Sequence, residues 1–170
     1  MTTMNLTIRP ARAEDLEPVL RLVQAAALPT DGIPEHWGDP YAVAVEGDTV
    51  LGVAGVEVHG RSGLLRSVAV APDARGTGLG QALTRDRVEW ARAAGLDALY
   101  LLTTTAEEFF PRLGFLPIDR DSVPADVRAS GEFCSVCPAS AAVLWLPLEE
   151  GGAAPLQEEL GRAISVEVGA

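Results

Sequence analysis

The stretch VAVAPDARGTGLGQAL, Val68 to Leu83, decides how the rest of the chain is read. Its first part, Val68-Ala69-Val70, is β-branched and small, the composition of a buried strand. Its last part reads as a helix beginning near Leu79, and between the two and at the helix start lie Pro72, Arg75, Gly76, Gly78 and Gly80. Glycines adopt backbone conformations that other residues resist and let main chain approach a ligand closely. The first turn of a helix leaves N–H groups unpaired and carries roughly half a positive charge. A strand, a glycine-rich turn and a helix start together make an anion site, and Arg75 adds a cationic fork suited to phosphate oxygens. Glycine spacing alone fits an ordinary strand-to-helix connection equally well.

Context removes the familiar competitors. A P-loop needs Gly-Lys-Ser/Thr, whereas all 13 basic residues here are arginine. A dinucleotide fold places its glycines in an early βαβ unit, but this turn follows an antiparallel-looking set of strands. A net charge of −11 without a basic cluster argues against general nucleic-acid binding. The 170 residues suit one domain, and no window approaches the roughly 18 unbroken apolar residues of a membrane span. Met1 to Pro10 lacks a charged-then-apolar signal pattern, so a cytoplasmic location is the expectation. Two cysteines do not make a disulfide framework.

Outward from the turn, LTIRPA opens as a strand over Leu6 to Arg9. AEDLEPVLRLVQAAAL follows as a helix, with Leu16, Val19, Leu20 and Val23 at helical spacing and Glu14 and Asp15 in its first turn. LPTDGIPEHWGDP is turn-rich and reads as a covering segment. YAVAVE and TVLGVAGVEV form a hairpin through Gly47-Asp48, HGRSG is a second tight turn, and LLRSVAVA a third strand. After the helix from about Leu79 to Ala94 come a strand in LDALYLLTT, a short helix in AEEFFPRL and a strand in GFLPIDR. One helical turn is expected near Ala125 to Ala129, and AVLWLPL is the last strand. There are no internal repeats.

LLRSVAVAPDARGTGLGQAL resembles the acetyl-CoA-binding signature of the GNAT N-acetyltransferase superfamily, a strand of type Leu-x-Val-x-Pro running into Arg/Gln-x-x-Gly-x-Gly/Ala. The matching residues are Val68, Val70, Pro72, Arg75, Gly78 and Gly80, and FFPRLGF, Phe109 to Phe115, is similar to the family's Phe-Tyr-x-x-x-Gly-Phe segment. The similarity covers roughly Leu6 to Leu148, so 1–148 reads as the acetyltransferase domain. The resemblance implies a mixed, mostly antiparallel α/β sheet of six or seven strands flanked by helices and splayed at the cofactor cleft. It implies that main-chain groups of Val68, Ala69 and Val70 pair with the pantetheine arm of acetyl-CoA. The amides of Arg75, Gly76, Thr77, Gly78, Leu79, Gly80 and Gln81 would hold the pyrophosphate, with Phe110 beside the cofactor. A backbone N–H near Val68 would polarise the thioester carbonyl while an amine enters from the opposite side.

The chain departs from that pattern at two places. Many relatives carry Glu where Arg66 stands, and the family's Tyr, often the acid that protonates the thiolate, is Phe110. A thiolate of pKa about 8.5 needs little help to leave. A base matters more: deprotonating a lysine-like amine at pH 7 costs about 4.6 kcal/mol, an α-amine about 1. Glu57 is the first candidate and His59 the second, the alternative being that both are solvated residues at a hairpin end. Arg61 and Arg66 bracket the same hairpin and point to an anionic group on the substrate, the alternative being a surface ion pair with Glu57 or Glu46. Thr104, within Thr103 to Thr105, offers a hydroxyl to either ligand or a helix cap.

GLLRSVAV, YLLTTTAEEFFPRLGF and EFCSVCPASA together resemble the arsenic-resistance N-acetyltransferase subgroup. Cys134 and Cys137 form Cys-x-x-Cys, yet two thiols fall short of a structural zinc site, so no metal is expected and a packing or pocket-lining loop is preferred over soft-metal or redox chemistry. The expected activity is acetyl transfer from acetyl-CoA to a small amine, such as an amino acid or its phosphinic or arsonic analogue bearing an acidic group. The alternatives are a peptide or protein N-acetyltransferase and a CoA-binding module without catalysis. The acidic tail, 149–170, is read as disordered or as a contact to a second subunit in a homodimer.

Overall fold

Alternation along the two central strands sets the layers of the molecule. The computed structural model describes residues 5–103, 109–130 and 141–148. Strand β2 (Tyr41–Glu46) turns Tyr41, Val43 and Val45 to one face and Ala42 and Ala44 to the other, and β3 (Thr49–His59) divides Val53 from Gly52 and Ala54 in the same way. Helix α1 (Leu16–Ala25) buries Val19 and Val23 against the large-residue face, each contributing about 2 kcal/mol of apolar burial. Helix α2 (Leu79–Ala93) lies on the small-residue face through Leu79 and Leu83. A Cβ built on Gly52 would stand 2.7 Å from Leu83 Cδ1, so the small residues let α2 approach the sheet closely.

The sheet has seven strands in the order β1-β2-β3-β4-β5-β7-β6, with β1 at Leu6–Pro10, β4 at Ser62–Val70, β5 at Ala98–Thr103, β6 at Leu116–Pro117 and β7 at Ala142–Pro147. Every pairing is antiparallel except β4 with β5. Parallel strands need a crossover, and α2 supplies it. Gly47 and Gly60, at φ +60° and +64°, turn the two hairpins on either side of β3. Helix α3 (Ala125–Arg128) lies where one helical turn was expected.

Two expectations are corrected. The segment GFLPIDR forms only a two-residue strand, followed by one more bond to β7 from the Ile118 N–H to Val143 O at 3.1 Å, before the chain turns at Arg120–Ser122. The helix expected over 13–28 divides into a 3₁₀ turn, Ala13–Asp15, and α1, which ends before Pro29. Thr104, Thr105, Cys134, Cys137 and the tail 149–170 lie outside the described residues.

Candidate active site

The parallel pair of strands comes apart after three residues. Ser62, Gly63 and Leu64 of β4 pair with Ala98, Leu99 and Tyr100 of β5, after which β4 runs on to Val70 and β5 to Thr103 with no further register between them. A β-bulge marks the fork. On β3, Ala54 alone separates Gly55 from Val53, whereas on β4 both Ser67 and Val68 separate their partners Arg66 and Ala69. The extra residue is accommodated by Ser67 at φ +59°, a left-handed conformation unusual outside glycine. Beyond the bulge, the Ala71 N–H donates to Leu51 O on β3 at 2.8 Å. Strand alternation therefore turns the main-chain groups of Val70, and those of Val68, to the open side of the fork.

That edge leads directly into the glycine-rich turn. Pro72–Ala74 makes one 3₁₀ turn, the Thr77 hydroxyl donates to Ala74 O at 2.5 Å, and Gly76 and Gly78 follow at φ +80° and +82°. Gly78 is the N-cap of α2, so no side-chain oxygen occupies the helix's first N–H groups, and the first turn carries no acidic residue. Its positive end is thus left for an outside anion. Exposed Arg75 stands beside it, its Nε donating to Val70 O at 3.1 Å. Gly80 belongs to the helix itself and packs near Phe109. Phe109 is a residue of this region that the sequence analysis did not single out; its only signal was its place in FFPRLGF. Phe110 is buried with Phe115, their rings edge to face at 5.8 Å, and belongs to the core behind the fork.

On the opposite face of β3 and β4 sits a cluster of charge. Glu57 and Arg66 are both buried, and Arg66 Nη1 donates to Glu57 Oε2 at 2.5 Å. The other carboxylate oxygen, Oε1, lies 3.1 Å from His59 Nε2 and 3.9 Å from His36 Nε2. These are the chain's only two histidines, 6.2 Å apart between ring centres. Sequence reasoning missed His36, since it lies on the covering segment far from Glu57 in the chain. Arg66 also donates from Nη1 to Asp31 O at 2.6 Å, from Nη2 to Pro29 O at 3.0 Å and from Nε to Ser67 Oγ at 3.1 Å. The covering segment is anchored further by Ile33, which is fully buried beside Val19, Val23 and Tyr41.

The structure brings Glu57, His59 and Arg66 together and leaves Arg61 elsewhere. The Arg61 guanidinium, 77% exposed, is bound to Asp97 at the start of β5, its Nη2 2.8 Å from Oδ1. The two arginines therefore do not converge on one anion. Arg66 makes the ion pair with Glu57 that was weighed as an alternative, but as a buried pair, its side chain 1% exposed, rather than a surface one. Among the described residues no cluster of three or more His, Cys, Asp or Glu is arranged to hold a metal, and no helix is long and apolar enough to cross a membrane.

The match to the model of the acetyltransferase (GNAT) family covers residues 7–115. The chain is 37% identical over 107 residues to a mycothiol acetyltransferase of Pseudarthrobacter chlorophenolicus, covering 55% of this chain and 33% of that protein. It is 33% identical over 90 residues to an amino-acid acetyltransferase of Ralstonia nicotianae, covering 52% of this chain and 20% of the other. The chain thus spans a third or less of the length of these curated relatives. Among solved structures it is similar to N-acetylglutamate synthase from Neisseria gonorrhoeae complexed with coenzyme A and N-acetyl-glutamate. There the TM-score is 0.74 and the identity 20%, with coverage of 87% of this chain and 36% of that one. It is also similar to Rv2747 from Mycobacterium tuberculosis in complex with CoA, at TM-score 0.71 and 26% identity, covering 84% of this chain and 99% of the other. The splayed sheet, the glycine turn and the family match over residues 7–115 agree: this protein belongs to the acetyltransferase (GNAT) family.

Proposed function

We propose that this chain transfers the acetyl group of acetyl-CoA to the amine of a small, amino-acid-like acceptor by direct attack. The observation that carries the reading is the continuity of the open β4 edge, Val68 to Val70, with the uncapped head of α2. The edge suits an extended amide-bearing arm, and the helix head suits a diphosphate. Amides from Arg75 to Gln81 hold the pyrophosphate, and the pantetheine arm pairs along Val68 to Val70. The amine nitrogen attacks the thioester carbon, the C–N bond forms, the C–S bond breaks, and CoA departs as the thiolate. A main-chain N–H at the fork near Val68 stabilises the oxyanion. Glu57 takes the amine proton directly or through water, and His59 is the second group placed to do so.

The curated relatives named as amino-acid and mycothiol acetyltransferases support a small amine over a macromolecular one. An α-amine also lowers the cost of deprotonation. The acceptor in this reading is an amino acid or an analogue with an acidic group, including the phosphinic and arsonic analogues that the resemblance to the arsenic-resistance subgroup brings in. Calorimetry with CoA and acetyl-CoA, followed by CoA release over a panel of amino acids, their arsonic and phosphinic analogues and short peptides, tests it. Absence of binding heat at millimolar cofactor ends the reading. Binding without turnover favours a CoA-binding module, and turnover on peptides alone favours a peptide acetyltransferase.

A further inference from the structure

We propose that Arg66 is a positioning residue for this reaction: its guanidinium ties the β4 bulge, the Glu57 carboxylate and the covering segment into one unit. The proposal rests on the acetyl-transfer reading and deepens it. The sequence suggested that this arginine meets an anionic substrate directly. Its hydrogen bonds point elsewhere. One edge of the fork reaches Ser67 Oγ, where β4 takes its left-handed residue and parts from β5. Its other nitrogens reach Glu57, Pro29 O and Asp31 O. Gly32, at φ +86°, wraps the guanidinium so closely that a Cβ there would lie 3.0 Å from Nη1 and 3.2 Å from Glu57 Oε2.

The geometry explains why the residue is arginine. A planar guanidinium directs donors outward along fixed lines, whereas an ammonium is a compact charge with three donors on one atom. A lysine could keep the ion pair with Glu57, but could not span Ser67, Pro29 and Asp31 at once. The bulge sets the main-chain donors on the thioester side of the sheet, and Glu57 with the 29–36 segment forms the opposite, acceptor side. Arg66 touches both, through Ser67 on one side and Glu57, Pro29 and Asp31 on the other. A left-handed non-glycine residue persists where its surroundings over-determine it, and the Nε bond to Ser67 is part of that constraint.

Arg66→Lys separates positioning from charge. The expected result is a fall of about tenfold to a hundredfold in kcat/KM for the acceptor, equal for acidic and neutral amines, with CoA affinity unchanged. Hydrogen exchange is expected to quicken at the amides of Ile33 and His36, which donate to Thr30 O and Gly32 O within the covering segment. Wild-type kinetics in Arg66→Lys overturn the proposal. So does a loss confined to acidic amines with unchanged exchange, which assigns Arg66 to the substrate. Should Arg66→Lys fail to fold, Ser67→Ala removes only the Nε arm and leaves the ion pair. A several-fold lower kcat at unchanged acceptor KM supports the proposal, and a wild-type kcat overturns it. The exchange measurement needs no turnover, so a wild-type chain inactive on every amine counts against the proposed function while the tie is still read.

Discussion

Gly76 and Gly78 stand at positive φ, where an L side chain is strained, whereas Gly80 lies within α2 with 3.4 Å between a built Cβ and Phe109 Cζ. The glycines thus have different reasons to be glycine. Gly78→Ala is expected to cost about 1 kcal/mol of stability and to weaken CoA binding. Gly80→Ala is expected to leave the melting temperature unchanged or raised, since the helix gains from alanine, while CoA affinity falls if the diphosphate lies against that backbone. Melting curves and calorimetry on the two variants separate turn strain from ligand approach. Glu57→Gln keeps shape and removes the proton acceptor. Its kcat is expected to fall about 10²-fold or more, with a larger loss for a lysine-like amine than for an α-amine, measured by CoA release across acceptors of graded basicity.

At the scale of elements, the entry to α1 depends on one carboxylate. Asp15 accepts from the Arg12 N–H at 2.8 Å and from Arg9 Nη1 at 2.7 Å, joining the end of β1 to the helix. The hydrogen bond from Arg9 holds the Asp15 carboxyl below the usual carboxylate range, against the opposing effect of burial. A carboxyl with a depressed folded pKa lends stability that is fully present above its unfolded value, about 3.9, and is lost as pH falls through the folded value. Asp15→Asn is therefore expected to lower stability by about 1–2 kcal/mol at neutral pH and to flatten the acid limb of a denaturation-versus-pH curve. The head of α2 differs in charge. Neither helix start has a capping side chain, but α1 carries Glu17 in its first turn while α2 carries no acidic residue there, so the α2 dipole is left for a ligand. An acidic start to the first helix and a glycine-rich start to the second were legible from Glu14-Asp15 and the triplet Gly-Thr-Gly, because first-turn charge is local chemistry.

At the scale of the whole molecule, close packing decides which residues are interchangeable. A Cβ on Gly55 would lie 2.2 Å from the ring of Tyr41, which is fully buried over that position. Gly55→Ala is expected to destabilise the fold by about 3 kcal/mol or more, read as a large drop in denaturation midpoint. In the sequence, Gly55 is one more small residue in a strand; no neighbour in the chain announces Tyr41 above it. The same limit explains His36. It lies 21 residues from Glu57 in the chain, and only the folding of the covering segment onto β3 brings it near.

The strand-turn-helix, the hairpins and the alternating β2 and β3 were readable in the chain because each depends on neighbours within a few residues. Backbone freedom, capping and side-chain period are short-range properties. The parting of β4 from β5, the commitment of Arg66 to Glu57 and the covering segment, and the separation of Arg61 from Arg66 were settled by the folded molecule. They depend on which strands lie side by side and where a bulge turns a side chain, and long-range packing sets both.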